Sequence, residues 1–242
     1  MRTLVCCLIV VALASSASGQ RVFERDTIAT SQGPLEITFV GHASVMFRWQ
    51  NKVVHVDPVT READYAQLPK ADLVLITHEH RDHLDTLALR QMCTPSTVVG
   101  VSEACKEGVP GGVILRNGDV DTLAGLRIEA VPAYNILHQR ENGQPFHPRG
   151  RGNGYVIVFG DTRVYLAGDT EDIPEMAELR DISVAFLPMN LPYTMTPEMA
   201  AHAARMVKPK VLYPYHYGRS DPNQLVELLQ GEKIEVRIRQ MR

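Results

Sequence analysis

Three histidines and one aspartate lie within six consecutive residues, His78-Glu79-His80-Arg81-Asp82-His83. Imidazole nitrogens and carboxylate oxygens are ligands for Zn²⁺ and its first-row neighbours. In an extended or loop conformation His78 and His80 lie on the same side of the chain, where they can bind one ion. The next turn of chain brings Asp82 and His83 towards a second ion. The spacing therefore predicts a metal centre rather than a solvated polar loop.

Four side chains cannot complete two metal sites, so further ligands are expected later in the chain. Asp169 follows the apolar run 164–167, and a carboxylate at that strand end can bridge two ions. His216 follows the apolar run 212–215 in the same way. Taken alone, Asp169 reads better as a turn residue and His216 as a core histidine. Beside the histidine-rich hexapeptide, both are predicted to be ligands.

The elements that must position these side chains are mostly strands. Residues 21–34 show no clear period and are predicted to be a loose lead, and residues 138–153 a long polar loop. Helices are predicted at 84–92, 102–107 and 174–180, from Pro197, and from Pro222 up to Gly231. Strands are predicted at 35–40, 44–49, 52–56, 72–77, 98–99, 126–131, 155–159, 163–167, 182–187, 211–215 and 234–238.

Several predicted strands are apolar on both faces, so each sheet needs a cover on both sides. Two packed sheets with helices outside satisfy that requirement, which predicts an α/β protein. No Pro/Gly/Ser-rich linker and no repeat divides the chain. We therefore expect a single domain over residues 20–242.

The first nineteen residues resemble a secretory signal peptide. Arg2 supplies a positively charged first segment, residues 4–14 are apolar, and Ala17 and Gly19 suit cleavage before Gln20, with cleavage after Ala17 as the alternative. The apolar run is too short to span a membrane, which argues against a stable anchor. The predicted location is therefore secreted or periplasmic. In an oxidising compartment Cys93 and Cys105 could pair, or they could be separate buried thiols.

Composition excludes several classes of protein. The chain has 242 residues, 45% of them hydrophobic and 22% charged, with a net charge of −3. It is too apolar for a disordered protein, and it carries no basic patch for nucleic acid or an anionic membrane. Four cysteines are too few for a disulfide scaffold. The sequence also contains no Gly-x-Ser-x-Gly elbow and no phosphate-binding P-loop.

The hexapeptide, the later Gly168-Asp169-Thr170 and the terminal Tyr215-His216-Tyr217 occur in an order that resembles the metallo-β-lactamase superfamily. Further similarity is to its branch containing ascorbate-phosphate lactonase and the N-acyl-phosphatidylethanolamine phospholipase. The segments that carry this finer similarity are 41–44 (GHAS), 56–58 (VDP), 131–135 (VPAYN) and 214–217 (PYHY). The resemblance implies a four-layer αβ/βα sandwich with metals at one edge of the sheets.

The resemblance also implies roles for individual residues. His78 and His80 would hold the first metal; Asp82, His83 and His216 would hold the second, with Asp169 bridging the two. Asp57 would orient the ligand loop through hydrogen bonds, and His42 would line the cavity and touch the substrate.

The first metal lacks one expected ligand. Many relatives carry its third histidine just after the strand equivalent to 126–131, where this chain has Asn135. We favour His147 in its place, followed by His138 and then by Asn135 as a weak oxygen ligand. The remaining possibility is that none of the three binds. His55 and His202 are predicted to be structural.

Two divalent ions, Zn²⁺ by preference and Mn²⁺ or Fe²⁺ as alternatives, would supply a hydroxide for attack on a carbonyl or phosphoryl centre. The prediction is an exported hydrolase of a small-molecule ester, lactone, amide or phosphodiester, with Asp82 or a water returning the proton. Arg140, Arg149 and Arg151 could meet an anionic substrate, although a solvated loop is slightly favoured. The alternatives are an iron-dependent redox or thiol-processing enzyme and a non-catalytic metal-binding protein.

Overall fold

Two seven-stranded β-sheets form the centre of the protein. The computed structural model describes residues 22–242, so the predicted signal peptide lies outside the described residues. The strands are β1 Glu24–Thr30, β2 Gly33–Gly41, β3 Ser44–Trp49, β4 Lys52–Val56, β5 Leu73–Ile76, β6 Val98–Ser102, β7 Val113–Leu115, β8 Val120–Leu123, β9 Leu126–Ala133, β10 Gly152–Phe159, β11 Thr162–Leu166, β12 Ile182–Pro188, β13 Val211–Tyr215 and β14 Glu235–Val236.

The two sheets divide the chain between them in sequence order. The first sheet has the order β1-β2-β3-β4-β5-β6-β7 and the second the order β14-β13-β12-β11-β10-β9-β8. Strands β4 to β7 run parallel, as do β11 to β14. The carboxyl ends of parallel strands meet at one edge of a sheet. Each sheet therefore presents one edge where several strand-end residues come together.

The main core lies between the sheets and contains aromatic residues from both of them. Phe39 and Phe47 of the first sheet lie 6.2 and 6.1 Å from the ring of Phe186 in the second. A second cluster, including Met46, covers the other face of the first sheet. The predicted four-layer α/β sandwich is confirmed, and its helices are α1 Thr86–Met92, α2 Pro197–Val207 and α3 Asn223–Leu228.

The helix starts follow their capping residues. Thr196 accepts a hydrogen bond from the backbone of Met199, and α2 begins at Pro197 as predicted. Asp85 caps α1 in the same way, so that helix starts two residues later than predicted. Helix α3 begins after Pro222 and ends at Leu228, before Gly231. The predicted helices at 102–107 and 174–180 are short 3₁₀ turns, Glu103–Cys105 and Pro174–Glu178.

The prediction of a loose lead at residues 21–34 is wrong. Strand β1 pairs antiparallel with β2 through a turn at Thr30 and Gly33. Five of its seven side chains are polar and none is fully buried, so the sequence shows no clear apolar pattern. The strand is held instead by long-range ion pairs, because Asp26 accepts from the Arg239 guanidinium at 2.7 Å. Strands β7 and β8 were also missed, since both are short and at sheet edges.

Cys93 and Cys105 are both free thiols, which resolves the alternative that the sequence left open. Cys105 is buried, and its sulfur lies 3.4 Å from Ser102 Oγ. Burial raises the pKa of the Cys105 thiol to about 12.

Among the described residues no helix is long and apolar enough to cross a membrane.

His55 is structural, as predicted, and we expect it to make stability depend on pH. Its ring is buried and Nε2 lies 3.2 Å from the carbonyl of Pro69. Burial lowers the pKa of His55 to about 4 from 6.5. The unfolded chain then binds the proton first as pH falls, so the free energy of unfolding decreases between pH 6.5 and about 4, by about 3 kcal/mol.

Chemical denaturation at several pH values tests this. The difference in stability between wild type and His55→Phe should change across that window, because the variant has no titrating ring. His202→Gln is the control, since His202 is exposed and bound to Asp172. Parallel pH profiles for wild type and His55→Phe would contradict the prediction.

Candidate metal centre

Loops that follow parallel strands of both sheets meet at one edge of the sandwich. Asp57 follows β4, and the segment His78–His83 follows β5 in the first sheet. Asp169 follows β11 and His216 follows β13 in the second sheet. A hydrogen bond from the backbone N–H of His216 to the carbonyl of His42 (3.0 Å) joins the two edges. Residues separated by more than 150 positions thus lie around one centre.

The first cluster consists of His78, His80 and His147, whose ring nitrogens lie within 4.8 Å of one another. His147 Nε2 is 3.3 Å from His80 Nδ1. The long loop before β10 folds back and buries His147 beside the hexapeptide. The structure thus brings the favoured third histidine to the first cluster, although its binding to a metal stays a prediction.

The second cluster consists of His42, Asp82, His83 and His216. His216 Nε2 lies 3.6 Å from Asp82 Oδ2, and His42 Nε2 lies 3.2 Å from the same oxygen. The ring centroids of His42 and His216 lie 3.9 Å apart, and the two ring planes are tilted by 40°. This cluster contains the three predicted ligands of the second metal together with the residue predicted to touch the substrate.

Asp169 lies between the two clusters. Its Oδ2 is 3.2 Å from His147 Nε2 and 3.5 Å from His216 Nε2. Its Oδ1 is 3.4 Å from His83 Nε2. Burial alone would raise the pKa of the Asp169 carboxyl, but the imidazoles of His216 and His83 hold it well below its usual range. The carboxylate is therefore ionised and faces both sets of histidines, as a bridging ligand must.

Four buried polar atoms at this centre have no hydrogen-bond partner among the described residues: Nε2 of His78, Nε2 of His83, Nε2 of His216 and Oδ1 of Asp169. Buried polar groups are rarely left without a partner, and these four converge on one place. Neutral imidazole and carboxylate are the donors that divalent first-row ions prefer. The residues therefore fit a site for divalent metal.

The ring nitrogens that face away from the centre are held by partners. Asp57 Oδ2 lies 2.8 Å from His83 Nδ1, and Asp57 also accepts from the backbone N–H (2.8 Å) and hydroxyl (2.7 Å) of Thr77. The Thr77 hydroxyl lies 3.0 Å from His78 Nδ1. The hydrogen bonding predicted for Asp57 is confirmed, and it fixes the orientation of the ligand loop.

Three residues at the centre have a strained backbone conformation. His42, Asp57 and His216 have φ values of +53°, +45° and +47°, in the left-handed region that residues with a Cβ rarely adopt. Gly168 has φ +67°, and a Cβ there would lie 2.7 Å from the carbonyl of Asn153. Only glycine therefore permits the turn that aims Asp169 at the histidines.

Two of the three alternatives for the missing ligand lie elsewhere. His138 Nδ1 is 2.7 Å from Glu171 Oε1, outside both clusters. Asn135 Oδ1 accepts from the backbone N–H and lies 2.7 Å from Nδ1 of His147, so its oxygen is engaged with that ring. Sequence reasoning missed Glu171 entirely, and its place two positions after Asp169 was the only signal that could have found it.

Two open cavities flank the centre. One, of about 620 Å³, is lined by His78, Phe146 and Arg151. The other, of about 800 Å³, is lined by Asp82, Asn190 and Tyr193. The residues that line both are His80, Arg140, Phe146, His147 and Asp169.

The three loop arginines differ in their partners. Arg151 donates to Glu79 (3.0 Å) and Arg149 to Glu175 (2.7 Å). Arg140 lies over the Phe146 ring and has no carboxylate partner among residues 22–242. The sequence slightly favoured a solvated loop over contact between these arginines and an anionic substrate. That interpretation fits Arg149 and Arg151, which are paired with glutamates, better than it fits Arg140.

Comparison with known proteins now places the chain. Residues 36–216 match the family model described as the beta-lactamase superfamily domain. The chain belongs to this superfamily. It is 34% identical to a UPF0173 metal-dependent hydrolase of Methanopyrus kandleri over 78% of this chain and 86% of that protein. The predicted superfamily is confirmed, whereas the lactonase- and phospholipase-like branch stays a prediction.

Solved structures of the superfamily agree with this fold. A candidate metal-dependent hydrolase of Parabacteroides distasonis has a TM-score of 0.88 and 48% identity, covering 91% of this chain and all of that one. Igni18, a metallo hydrolase of Ignicoccus hospitalis, has a TM-score of 0.70 and 26% identity, covering 86% and 95%. The beta-lactamase superfamily match spans every residue of the metal centre, from His42 to His216.

Proposed function

We propose that this protein is a metal-dependent hydrolase that holds two divalent ions and acts on a small-molecule ester, lactone, amide or phosphodiester. The observation that carries the proposal is the position of the Asp169 carboxylate between two clusters in which Nε2 of His78, His83 and His216 is buried and unpartnered. Zn²⁺ is the favoured ion because histidine dominates both clusters. The relatives' description as metal-dependent hydrolases supports the same reaction class.

The protein's own side chains divide the work around the centre. His78, His80 and His147 would hold the first ion, and Asp82, His83 and His216 the second, with Asp169 shared. The chemistry that such ions supply is a water of lowered pKa and positive charge at the oxygen where charge develops. His42 Nε2 and Asp82 Oδ2, 3.2 Å apart, are the pair that can hold a proton at the edge of the cavity for the leaving group.

Arg140 supports an anionic substrate. It lines both cavities beside the centre and has no carboxylate partner among the described residues. A guanidinium that has no carboxylate partner of its own can pair with a carboxylate or phosphate group of a substrate. The aromatic side chains of Phe146 and Tyr193, with ring centroids 5.1 Å apart, form a wall beside it. The proposed substrate therefore carries a carboxylate or phosphate close to the bond that is hydrolysed.

Arg140→Ala should raise KM for an anionic substrate about tenfold to a hundredfold, with little change in kcat. A charge-assisted hydrogen bond of about 1.5–3 kcal/mol is lost in the ground state and the transition state alike. The measurement uses paired esters that differ only in a carboxylate group. Arg149→Ala is the control, since Arg149 is paired with Glu175. An equal effect of Arg140→Ala on charged and neutral esters would contradict the proposal.

The proposed reaction class is tested with purified protein. Metal analysis after native purification should find two divalent ions per chain, and a screen of esters, lactones and phosphodiesters should find hydrolysis that a chelator abolishes. Two irons together with consumption of oxygen would favour the redox alternative instead. Bound metal without any hydrolysis across the screen would favour a metal-binding protein.

We propose that the protein is exported, on the basis of residues 1–19 alone. N-terminal sequencing of protein from the culture medium or periplasm should begin at Gln20. An intact Met1 on protein recovered from the cytoplasm would contradict export.

A further inference from the structure

The buried carboxylate of Glu171 takes no part in the chemistry proposed above. Its side chain has no exposed surface. Oε2 accepts from the backbone N–H groups of Ile136 (2.8 Å) and Leu137 (2.7 Å), and Oε1 accepts from the N–H of His138 (2.7 Å). A buried charge is tolerated only when it is surrounded by donors in this way. Glu171 therefore fixes the backbone of the loop that follows β9.

The same carboxylate fixes the side chain of Asn135. Asn135 Nδ2 donates to Glu171 Oε1 (3.0 Å) and to the carbonyl of Tyr193 (2.9 Å). Because the amide group is held between two acceptors, Oδ1 must point in the opposite direction. There it accepts from the backbone N–H of His147 (2.8 Å) and lies 2.7 Å from His147 Nδ1.

This arrangement determines which nitrogen of His147 carries the proton. A carboxamide oxygen can only accept a hydrogen bond, so Nδ1 must be the donor. In a neutral imidazole the other nitrogen then has a free lone pair. His147 Nε2 lies 3.3 Å from His80 Nδ1 and 3.2 Å from Asp169 Oδ2, at the first cluster.

We propose that Asn135 and Glu171 are positioning residues that make His147 a ligand of the first metal. Glu171 sets the direction of the Asn135 carboxamide, and the carboxamide holds His147 in the Nδ1-protonated tautomer with Nε2 aimed at the centre. The inference rests on the metal centre of the proposed function but not on its substrate. The roles of Asn135 and Glu171 can therefore be tested even if the screen finds no hydrolysed compound.

The first readout is the tautomer of His147 in the Zn²⁺-loaded protein. Imidazole ¹⁵N shifts distinguish the protonated ring nitrogen from the one that binds the ion. Wild type should show the Nδ1-protonated form, and Asn135→Ala should show a mixture or the other tautomer. If the hydrogen bond between Asn135 and His147 were merely structural, the tautomer of His147 would be the same in wild type and in Asn135→Ala.

The second readout is the affinity for Zn²⁺ alone, measured against a competing chelator. Asn135→Ala should weaken binding at the first site by about tenfold to a hundredfold, the range for losing a partner that orients a ligand. The ¹⁵N resonances of His147 and His216 report the two sites separately, and the second site should change by less than about threefold. Asn153→Ala is the matched control, because Asn153 is buried and donates to Leu115 but touches neither ring.

Asn135→Asp keeps an oxygen facing His147 and removes the Nδ2 group that donates to Glu171 and to the carbonyl of Tyr193. We expect it to retain the tautomer and first-site affinity within about threefold, while repulsion between the two carboxylates lowers Tm. This variant keeps the test decisive if the alanine variant does not fold. An unchanged tautomer and affinity in Asn135→Ala, or a loss of first-site affinity in Asn135→Asp as large as in Asn135→Ala, would overturn the proposal.

Discussion

Replacing Asp169 with alanine should lower hydrolysis by about a thousandfold or more and reduce bound metal from two ions per chain to one or fewer. The physical reason is its position, with Oδ2 near His147 and His216 and Oδ1 near His83. No other carboxylate among the described residues faces both clusters. Metal analysis of the purified variant and assay on the best substrate of the screen provide the measurement.

Asp172→Ala is the matched control for that experiment. Asp172 is the same residue type three positions later, and its carboxylate lies 2.7 Å from His202 Nδ1, away from the centre. It should keep both ions and full activity. Two ions per chain in Asp169→Ala, together with unchanged hydrolysis, would show that the dinuclear centre is wrong.

Replacing Asp57 with alanine should lower the free energy of unfolding by about 3–5 kcal/mol and weaken the second metal site by about tenfold to a hundredfold. The carboxylate is buried and accepts from two groups of Thr77, and it lies 2.8 Å from His83 Nδ1. Its removal leaves these donors buried without an acceptor. Denaturant unfolding and Zn²⁺ competition measure the two effects.

Asp57→Asn separates the carboxylate's role from that of the backbone. Asparagine tolerates the left-handed φ of +45° that alanine adopts with strain. It also keeps one oxygen acceptor, so its loss of stability and of second-site affinity should be smaller than for alanine. Equal second-site affinity in wild type and both variants would contradict the orienting role of Asp57.

Most residues of the candidate metal centre could be predicted from the sequence, because they lie in one short segment or directly follow strands. Three histidines and Asp82 lie in one hexapeptide, and Asp169 and His216 each follow an apolar run that forms a parallel strand. Strand ends of a parallel sheet meet at one edge, so the pattern groups residues within each sheet. That the edges of the two sheets lie together was implied by the resemblance to the superfamily. The same reasoning recovered most strands of the sandwich, since apolar runs of four to eight residues depend on local composition.

Local sequence patterns did not predict the elements that are held by contacts with distant parts of the chain. Strand β1 is polar and exposed, and it is fixed by its pairing with β2 and by the contact between Asp26 and Arg239, more than 200 positions away. The unpaired state of Cys93 and Cys105 likewise depends on a spatial separation that no spacing in the sequence gives.

The sequence by itself determined the class of chemistry, the superfamily fold and the histidine and aspartate residues that gather at strand ends. Only the tertiary structure decided which residue of the long loop reaches the first cluster. The periodicity of apolar residues carries no information in a polar loop. A buried carboxylate, by contrast, must accept hydrogen bonds from whichever donors the chain brings close to it. Glu171 gathers the amides of residues 136–138 and the side chain of Asn135, and that requirement turns His147 rather than His138 towards the metals.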